Sequence, residues 1–314
     1  MKPGRQTTLC ERAVLSGRGV HSNAPVQIVL HPSDANTGIS FVRTGLDGGR
    51  SHSIDARWSE VAATRLCTVI GDPDQASIAT VEHVLAALSG LGVDNALIEV
   101  DGPEMPIMDG SAQDFVDAID QVGISDLGAT RRYIRIVKSV RVEDGRAFSE
   151  LRPAGHGLRL EVEIDFPSKI IGRQRKAILL EPATFRRELA RARTFGFLRD
   201  VEQLWRAGFA LGSSLENSVA LDDDRVLNPE GLRFPDEFVR HKMLDAVGDL
   251  ALAGAPLIGA YRSYCSGHRL NVAVLEALFA DRSAYALVEA PRRREGGFAG
   301  LSLAALPAYA AETN

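Results

Sequence analysis

The feature that most constrains what this 314-residue chain can fold into is an order of elements met twice, strand-like stretches first and helical spacing after. Between Thr7 and Val42, short apolar runs such as Val26-Gln-Ile-Val-Leu30 are broken by turn residues, which reads as strands joined by loops. From Thr80 the spacing changes. Val81, Val84, Leu85, Leu88 and Leu91 recur at helical intervals until Gly90 and Gly92 end the run, predicting an amphipathic helix with one core face. Ala96–Val100 reads as a buried strand, residues 102–110 as a constrained loop and 112–122 as a second helix. The strand pattern restarts at 133–137, 140–142 and 158–164. Helices are then predicted at 182–191, 201–207 and 236–253, with 262–274 crossing from loop to helix. The expectation is an α+β fold of two layered sandwich domains facing one another, residues 1–128 and 129–300. This duplication rests on element order, because no repeat of residue identity accompanies it.

The length agrees with two units, since a domain typically holds roughly 100–150 residues. Hydrophobic residues make up 45% and charged residues 25%, enough apolar surface to organise cores; the Ala-rich stretch 301–314 is expected to be a disordered tail. A net charge of -5 exerts no general pull on nucleic acid or an anionic membrane, so an anionic ligand has to be met by a local cluster. Cys10, Cys67 and Cys265 form no CxxC pair, which argues against a disulfide framework and a thiolate zinc site. The start of the chain lacks an apolar run of signal-peptide length, and nothing later approaches the about 20 apolar residues of a spanning helix. A cytoplasmic monomer without a transmembrane segment is expected.

Chemistry concentrates in a few segments. In DEFVRHKMLDAVGDL, His241, Asp245 and Asp249 are spaced four apart, which puts an imidazole and two carboxylates on one helical stripe. The same spacing also suits a solvated face with an i,i+4 pair. Glu82 and His83 are neighbours at a helix start and point about 100° apart, so one can bind a metal while the other addresses water. A hydrolytic zinc site takes three nitrogen or oxygen ligands and keeps an open position, and His83, His241 and Asp245 complete such a set. H-E-x-x-H is absent, and its inverted form would need a histidine at Ala79, so the ligands have to converge from both halves. Ser266-Gly-His268 adds a histidine after a turn. In Arg191-Ala-Arg-Thr-Phe-Gly-Phe197, Thr194 is either a hydrogen-bond donor or a turn residue.

These segments, with Gly17-Arg-Gly-Val-His21, Ser77-Ile-Ala-Thr-Val-Glu-His83 and Pro106-Ile-Met-Asp-Gly-Ser111, closely resemble the UDP-3-O-acyl-N-acetylglucosamine deacetylase (LpxC) family of lipid A synthesis. The resemblance implies two α+β sandwiches, each with an inserted subdomain, and an active site at their interface. It places the second insert, lining a passage for an acyl chain, near 170–192. It implies Zn²⁺ on His83, His241 and Asp245, a ligand set that also accepts Fe²⁺. It implies Glu82 as general base, His268 as second catalytic group and Thr194 as oxyanion donor. Asp249 becomes a partner holding His268 charged, and Lys242 a contact to substrate or oxyanion. Either Glu82 or His268 protonates the leaving amine.

For the substrate, the resemblance implies Phe166 beside Asp165 against uridine, Phe195 flanking Thr194, Asp200 near the nucleotide sugar and Leu215 beside the acyl passage. Where the family often has a diphosphate-binding lysine, this chain has Cys265, and Arg262 or Arg269 could supply the charge instead. The rival of another class is a non-catalytic protein gripping a nucleotide sugar or lipid, which would place no chemical demand on Glu82, His83, His241, Asp245 and His268. A deacetylase of another N-acyl sugar is the second rival. Apolar residues at 170–171 and 178–180 favour a long acyl chain, although they equally suit a buried strand.

Overall fold

The computed structural model describes residues 4–222 and 225–290, and the expected disordered tail lies outside them. The fold is α+β. In the first half a five-stranded mixed sheet runs in the order Ala13–Arg18, Pro25–Pro32, Ala96–Val100, Ile39–Leu46, Arg50–Asp55. Its inward positions alternate along each strand; Val26, Ile28 and Leu30 face the core while their neighbours do not. Helices α1 (Glu82–Leu91) and α2 (Gln113–Val122) belong to this half, and Gly92 closes α1 in the left-handed conformation, φ 80°. A small antiparallel sheet, Val61–Ala63, Val69–Asp72 and Ala76–Ile78, precedes α1. Arg5–Leu9 pairs with Ile124–Thr130, so the beginning and end of this half lie side by side.

The second half is organised by Leu257–Tyr264. This strand is antiparallel to Ala147–Arg152, parallel to Leu158–Asp165 and, at its start, parallel to Arg132–Ile136 within a seven-stranded sheet. Helices α3 (Pro182–Glu188), α4 (Leu198–Arg206), α5 (Glu237–Ala251) and α6 (His268–Ala280) complete the described helices. Three sequence expectations shift. Helix 201–207 starts earlier, at Leu198; helix 182–191 stops at Glu188; and segment 262–274 crosses into α6 from a strand rather than a loop.

The stretch 170–192, where an acyl-passage insert was expected, holds a strand and the short helix α3. Arg173–Leu179 is an edge strand of the main sheet, antiparallel to Leu158–Asp165, and its Arg173 and Arg175 pair with Glu163 and Glu161 on that neighbour. Charged side chains protect such an edge, and Ile178 packs against the core. The excursion from the main sheet lies further on, where Phe195–Phe197 and Val219–Leu221 form a separate parallel pair enclosing α4.

One apolar cluster runs through both halves, and α5 lies within it. Twelve of its 15 residues are buried, so α5 has no solvent-facing stripe of the ordinary kind and packs on all sides. Against α1 it comes closest at Gly248, where a Cβ would stand 2.0 Å from the Glu82 carbonyl oxygen. Backbone cannot yield there as a flexible side chain could. Gly248→Ala is therefore expected to force α1 and α5 apart and destabilise the fold by about 1–3 kcal/mol, read as a lowered thermal midpoint. An unchanged midpoint would mean that the two helices do not pack this closely.

Candidate metal centre and active site

Helix α5 carries His241 and Asp245 one turn apart, and α1 brings His83 to the same point. His241 Nε2 lies 3.2 Å and His83 Nε2 3.7 Å from Asp245 Oδ1, with the two imidazoles perpendicular and 5.1 Å between centroids. One ligand atom from each residue falls within 4.8 Å of the others, and all three residues are buried. Hydrogen bonds dispose His241 and Asp245 as metal ligands, while the buried His83 Nδ1 has no partner. His241 Nδ1 donates to the Ala192 carbonyl at 3.0 Å, which leaves Nε2 with its lone pair toward the cluster. Asp245 Oδ2 accepts from Lys242 at 2.9 Å, while Oδ1 is buried without a hydrogen-bond partner. Lone pairs facing one another in a buried space call for a cation between them. The residues therefore fit a divalent metal.

Charge distribution agrees. Burial pushes the His83 pKa down to about 3, helped by the neighbouring His241. Burial likewise lowers His241, so both rings stay neutral and free to coordinate. For Asp245 burial acts upward, but the positive charges of Lys242 and His268 outweigh it and hold the carboxyl well below its ordinary range.

Glu82 and His268 flank this cluster, His268 Nε2 standing 3.7 Å from Glu82 Oε1. Glu82 is 3% exposed, and burial raises its pKa to about 7. Burial opposes a charge on His268, as does its place at the start of α6, yet the carboxylates of Asp249, Glu82 and Asp245 lift it to about 9. Asp249, one turn beyond Asp245 on α5, accepts from His268 Nδ1 at 2.9 Å.

Glu82, His83, Thr194, Phe195, His241, Lys242, Asp245 and His268 all line one pocket. Its apolar wall comes from the 195–221 excursion, including Phe197, Leu198, Val201 and Leu204, and faces Val20 and Leu66 of the first half. Phe166 packs on Phe195 and Phe197, with ring centroids 5.8 and 6.5 Å away. Thr194 is pinned on both sides: its N–H donates to Gly110 O at 2.8 Å, and its carbonyl accepts from Val219 N at 2.7 Å. Gly110, at φ 83°, leaves no room for a side chain, since a Cβ would lie 2.0 Å from Asn217 O.

Other expected contacts fall elsewhere. Leu215 is 45% exposed and outside the pocket lining, because the chain turns back so that Ala210, Ser213 and Ser218 face inward. Arg262 is held by Glu161 at 3.0 Å and lies over Phe148, and Arg269 pairs with Asp144, so neither is free beside Cys265. Asp165 accepts from the Tyr264 hydroxyl at 2.8 Å and lies 3.7 Å from Arg146. Asp200 sits in the exposed first turn of α4. Cys67 lines the pocket, and burial raises its thiol to about 12, so it stays protonated.

Several contributors have roles that the sequence did not signal, although Arg193, His21 and Thr80 lie within its motifs. Arg193 is buried and donates to Glu237 at 3.0 Å, to Glu230 at 2.5 Å and to Gly231 O at 2.7 Å, anchoring Thr194 beside the start of α5. Buried Glu104 accepts from the backbone of His21 and Ser22, each at 2.8 Å, and His21 Nδ1 accepts from Ala210 N, tying the first half to the pocket wall. Thr80, Leu66 and Cys265 have φ of 62°, 69° and 47°. Such backbone is uncommon outside glycine, above all at a β-branched residue like Thr80, and gathers at functional sites.

Residues 6–280 match the family model described as UDP-3-O-acyl N-acetylglycosamine deacetylase, LpxC. A Brucella ovis protein named UDP-3-O-acyl-N-acetylglucosamine deacetylase is 52% identical over 286 residues, covering 91% of this chain and 99% of the relative. Relatives of the same name from Brucella abortus and Brucella melitensis are 52% and 51% identical with the same coverage. With the buried cluster at its centre and this likeness along nearly its whole length, the chain belongs to the LpxC family of deacetylases.

Proposed function

We propose that the chain hydrolyses the acetamide of UDP-3-O-acyl-N-acetylglucosamine in a metal-dependent reaction, releasing acetate and the free amine, as the committed step of lipid A synthesis. The observation that carries the reading is the convergence of His83, His241 and Asp245 within 4.8 Å at the polar end of an apolar-walled pocket, flanked by Glu82 and His268. The family name supplies the substrate. Zn²⁺ is the proposed ion, with Fe²⁺ compatible with the same donors. When bound, the ion supplies Lewis acidity, polarising the amide carbonyl and sharpening a water molecule into a nucleophile near neutral pH.

The protein's own groups do the rest. Glu82, poised near neutrality, takes the proton from water as its oxygen adds to the acetyl carbonyl. The imidazolium of His268 and the hydroxyl of Thr194 donate to the oxyanion that develops, and Lys242, lining the same pocket, adds positive charge. Glu82 or His268 then passes a proton to the nitrogen as the C–N bond breaks. Phe195 and the α4 side chains exclude water and suit an acyl chain alongside. Among the described residues no helix is long and apolar enough to cross a membrane.

Glu82→Gln preserves the shape of the site and removes the base. It is expected to lower kcat by about 10²–10⁴-fold while the metal content stays at one ion per chain. Full turnover of the UDP-acyl-sugar by this variant, or by chelated protein, would overturn the reading. The pH dependence follows from the two flanking groups. Activity rises with pH as Glu82 loses its proton, at or below about 7 because a bound cation favours the carboxylate, and falls as His268 loses its proton near 9. In Asp249→Asn the alkaline limb should move to lower pH, since a carboxylate that holds the imidazolium charged is gone. A limb that stays in place would assign it to another group.

A further inference from the structure

Thr68 belongs to none of the sequence motifs, yet it touches both carboxylates behind the reacting groups. It lies in the segment leading into the strand Val69–Asp72 and is fully buried. Its backbone N–H donates to Glu82 Oε2 at 3.1 Å, and its hydroxyl donates to Asp249 Oδ1 at 2.6 Å. Glu82 belongs to the first half of the chain and Asp249 to the second, 181 residues from Thr68. We infer that Thr68 is a positioning residue for the deacetylation, one that fixes the general base and the partner of His268 in a single register through two separate donors.

Each donor settles the orientation of one carboxylate. With Oε2 of Glu82 engaged, Oε1 is the oxygen turned toward His268 Nε2, 3.7 Å away. Asp249 is filled on both oxygens. Oδ1 accepts from Thr68, while Oδ2 accepts from His268 Nδ1 at 2.9 Å and from Asn271 Nδ2 at 2.8 Å. A carboxylate surrounded by three donors remains an acceptor, so the proton of that contact stays on His268 Nδ1 and Nε2 faces the pocket. Asn271 is oriented in turn, because its Oδ1 accepts from the buried Tyr261 hydroxyl at 2.6 Å. Thr68 is the only one of Asp249's three described donors that lies in the first half, so its hydroxyl ties the His268 side of the site to the Glu82 side. Loss of that hydroxyl leaves Asp249 Oδ1 without a donor in a space closed to water, and the ring it holds gains freedom to turn.

The inference rests on the proposed deacetylase reading, and its test separates the two. Thr68→Val keeps the shape and the backbone donor and removes the hydroxyl; Thr68→Ala removes it with less bulk; Thr68→Ser restores it. In the zinc-loaded protein, kcat should fall about 10–100-fold in Thr68→Val and Thr68→Ala, with KM within about twofold of the parent. Thr68→Ser should return to within about threefold. Zinc content should be the same in all four proteins. The Nδ1 proton of His268, observed by NMR in the zinc-loaded state, should be slow to exchange in the parent and Thr68→Ser, and shifted or lost in the other two. Parent-like kcat together with an unchanged Nδ1 proton in Thr68→Val overturns the inference, as does equal damage in Thr68→Ser. A parent that deacetylates nothing would instead sink the proposed function, and the Nδ1 proton would still decide what Thr68 does.

Discussion

Everything in this structure depends on burying charge inside an apolar helix pair. Helix α5 carries His241, Asp245 and Asp249 through the common core and packs at Gly248 against the backbone of α1, which brings Glu82 and His83. An isolated carboxylate in such a place would be strongly disfavoured, so each has to be matched. Asp249 is matched by Thr68, His268 and Asn271, and Glu82 in part by Thr68 and His268. Asp245 is matched on one oxygen by Lys242, and its other oxygen faces two neutral imidazoles. That residual imbalance marks where a cation belongs.

The same burial divides the labour among groups that are chemically alike. Asp245 and Glu82 lie within a few side chains of one another, yet their surroundings drive them apart. Asp245 is held ionised by nearby positive charge, whereas desolvation moves Glu82 toward neutrality, the range in which a base exchanges a proton with water. The histidines divide similarly. His83 is kept neutral and His268 charged, although both are buried, because only His268 is surrounded mainly by carboxylates.

How much of this the sequence disclosed depended on distance along the chain. The i,i+4 relation of His241 and Asp245, and the helical spacing that begins near Glu82, are local and could be read from periodicity. That these two helices meet was suggested by chemistry, since neither segment alone supplies three ligands. The apolar wall was hard to read for a physical reason. Ile178-Leu179-Leu180 has the composition of an apolar lining stretch but closes a main-sheet edge strand, whereas the pocket's apolar residues from the second half are spread between Phe195 and Ala220 in an excursion with little continuous hydrophobicity. Leu215 was placed by resemblance and stands exposed, while Arg262 and Arg269, offered in place of the lysine absent at Cys265, are held by Glu161 and Asp144. The roles of Thr68, Arg193 and Glu104 could not be read from sequence, even with Arg193 inside a motif, because they exist only through partners remote in the chain.

The central claim is that two imidazoles and one carboxylate from the two halves share a single ion. X-ray absorption at the zinc edge tests it most directly, on protein loaded with one equivalent and on His83→Ala and His241→Ala loaded in the same way. The account predicts only nitrogen and oxygen neighbours at about 2.0–2.2 Å, with outer-shell scattering from two imidazole rings in the parent and from one in each variant. A sulfur neighbour at about 2.3 Å, which would implicate Cys67, or imidazole scattering that survives both substitutions undiminished, would contradict it.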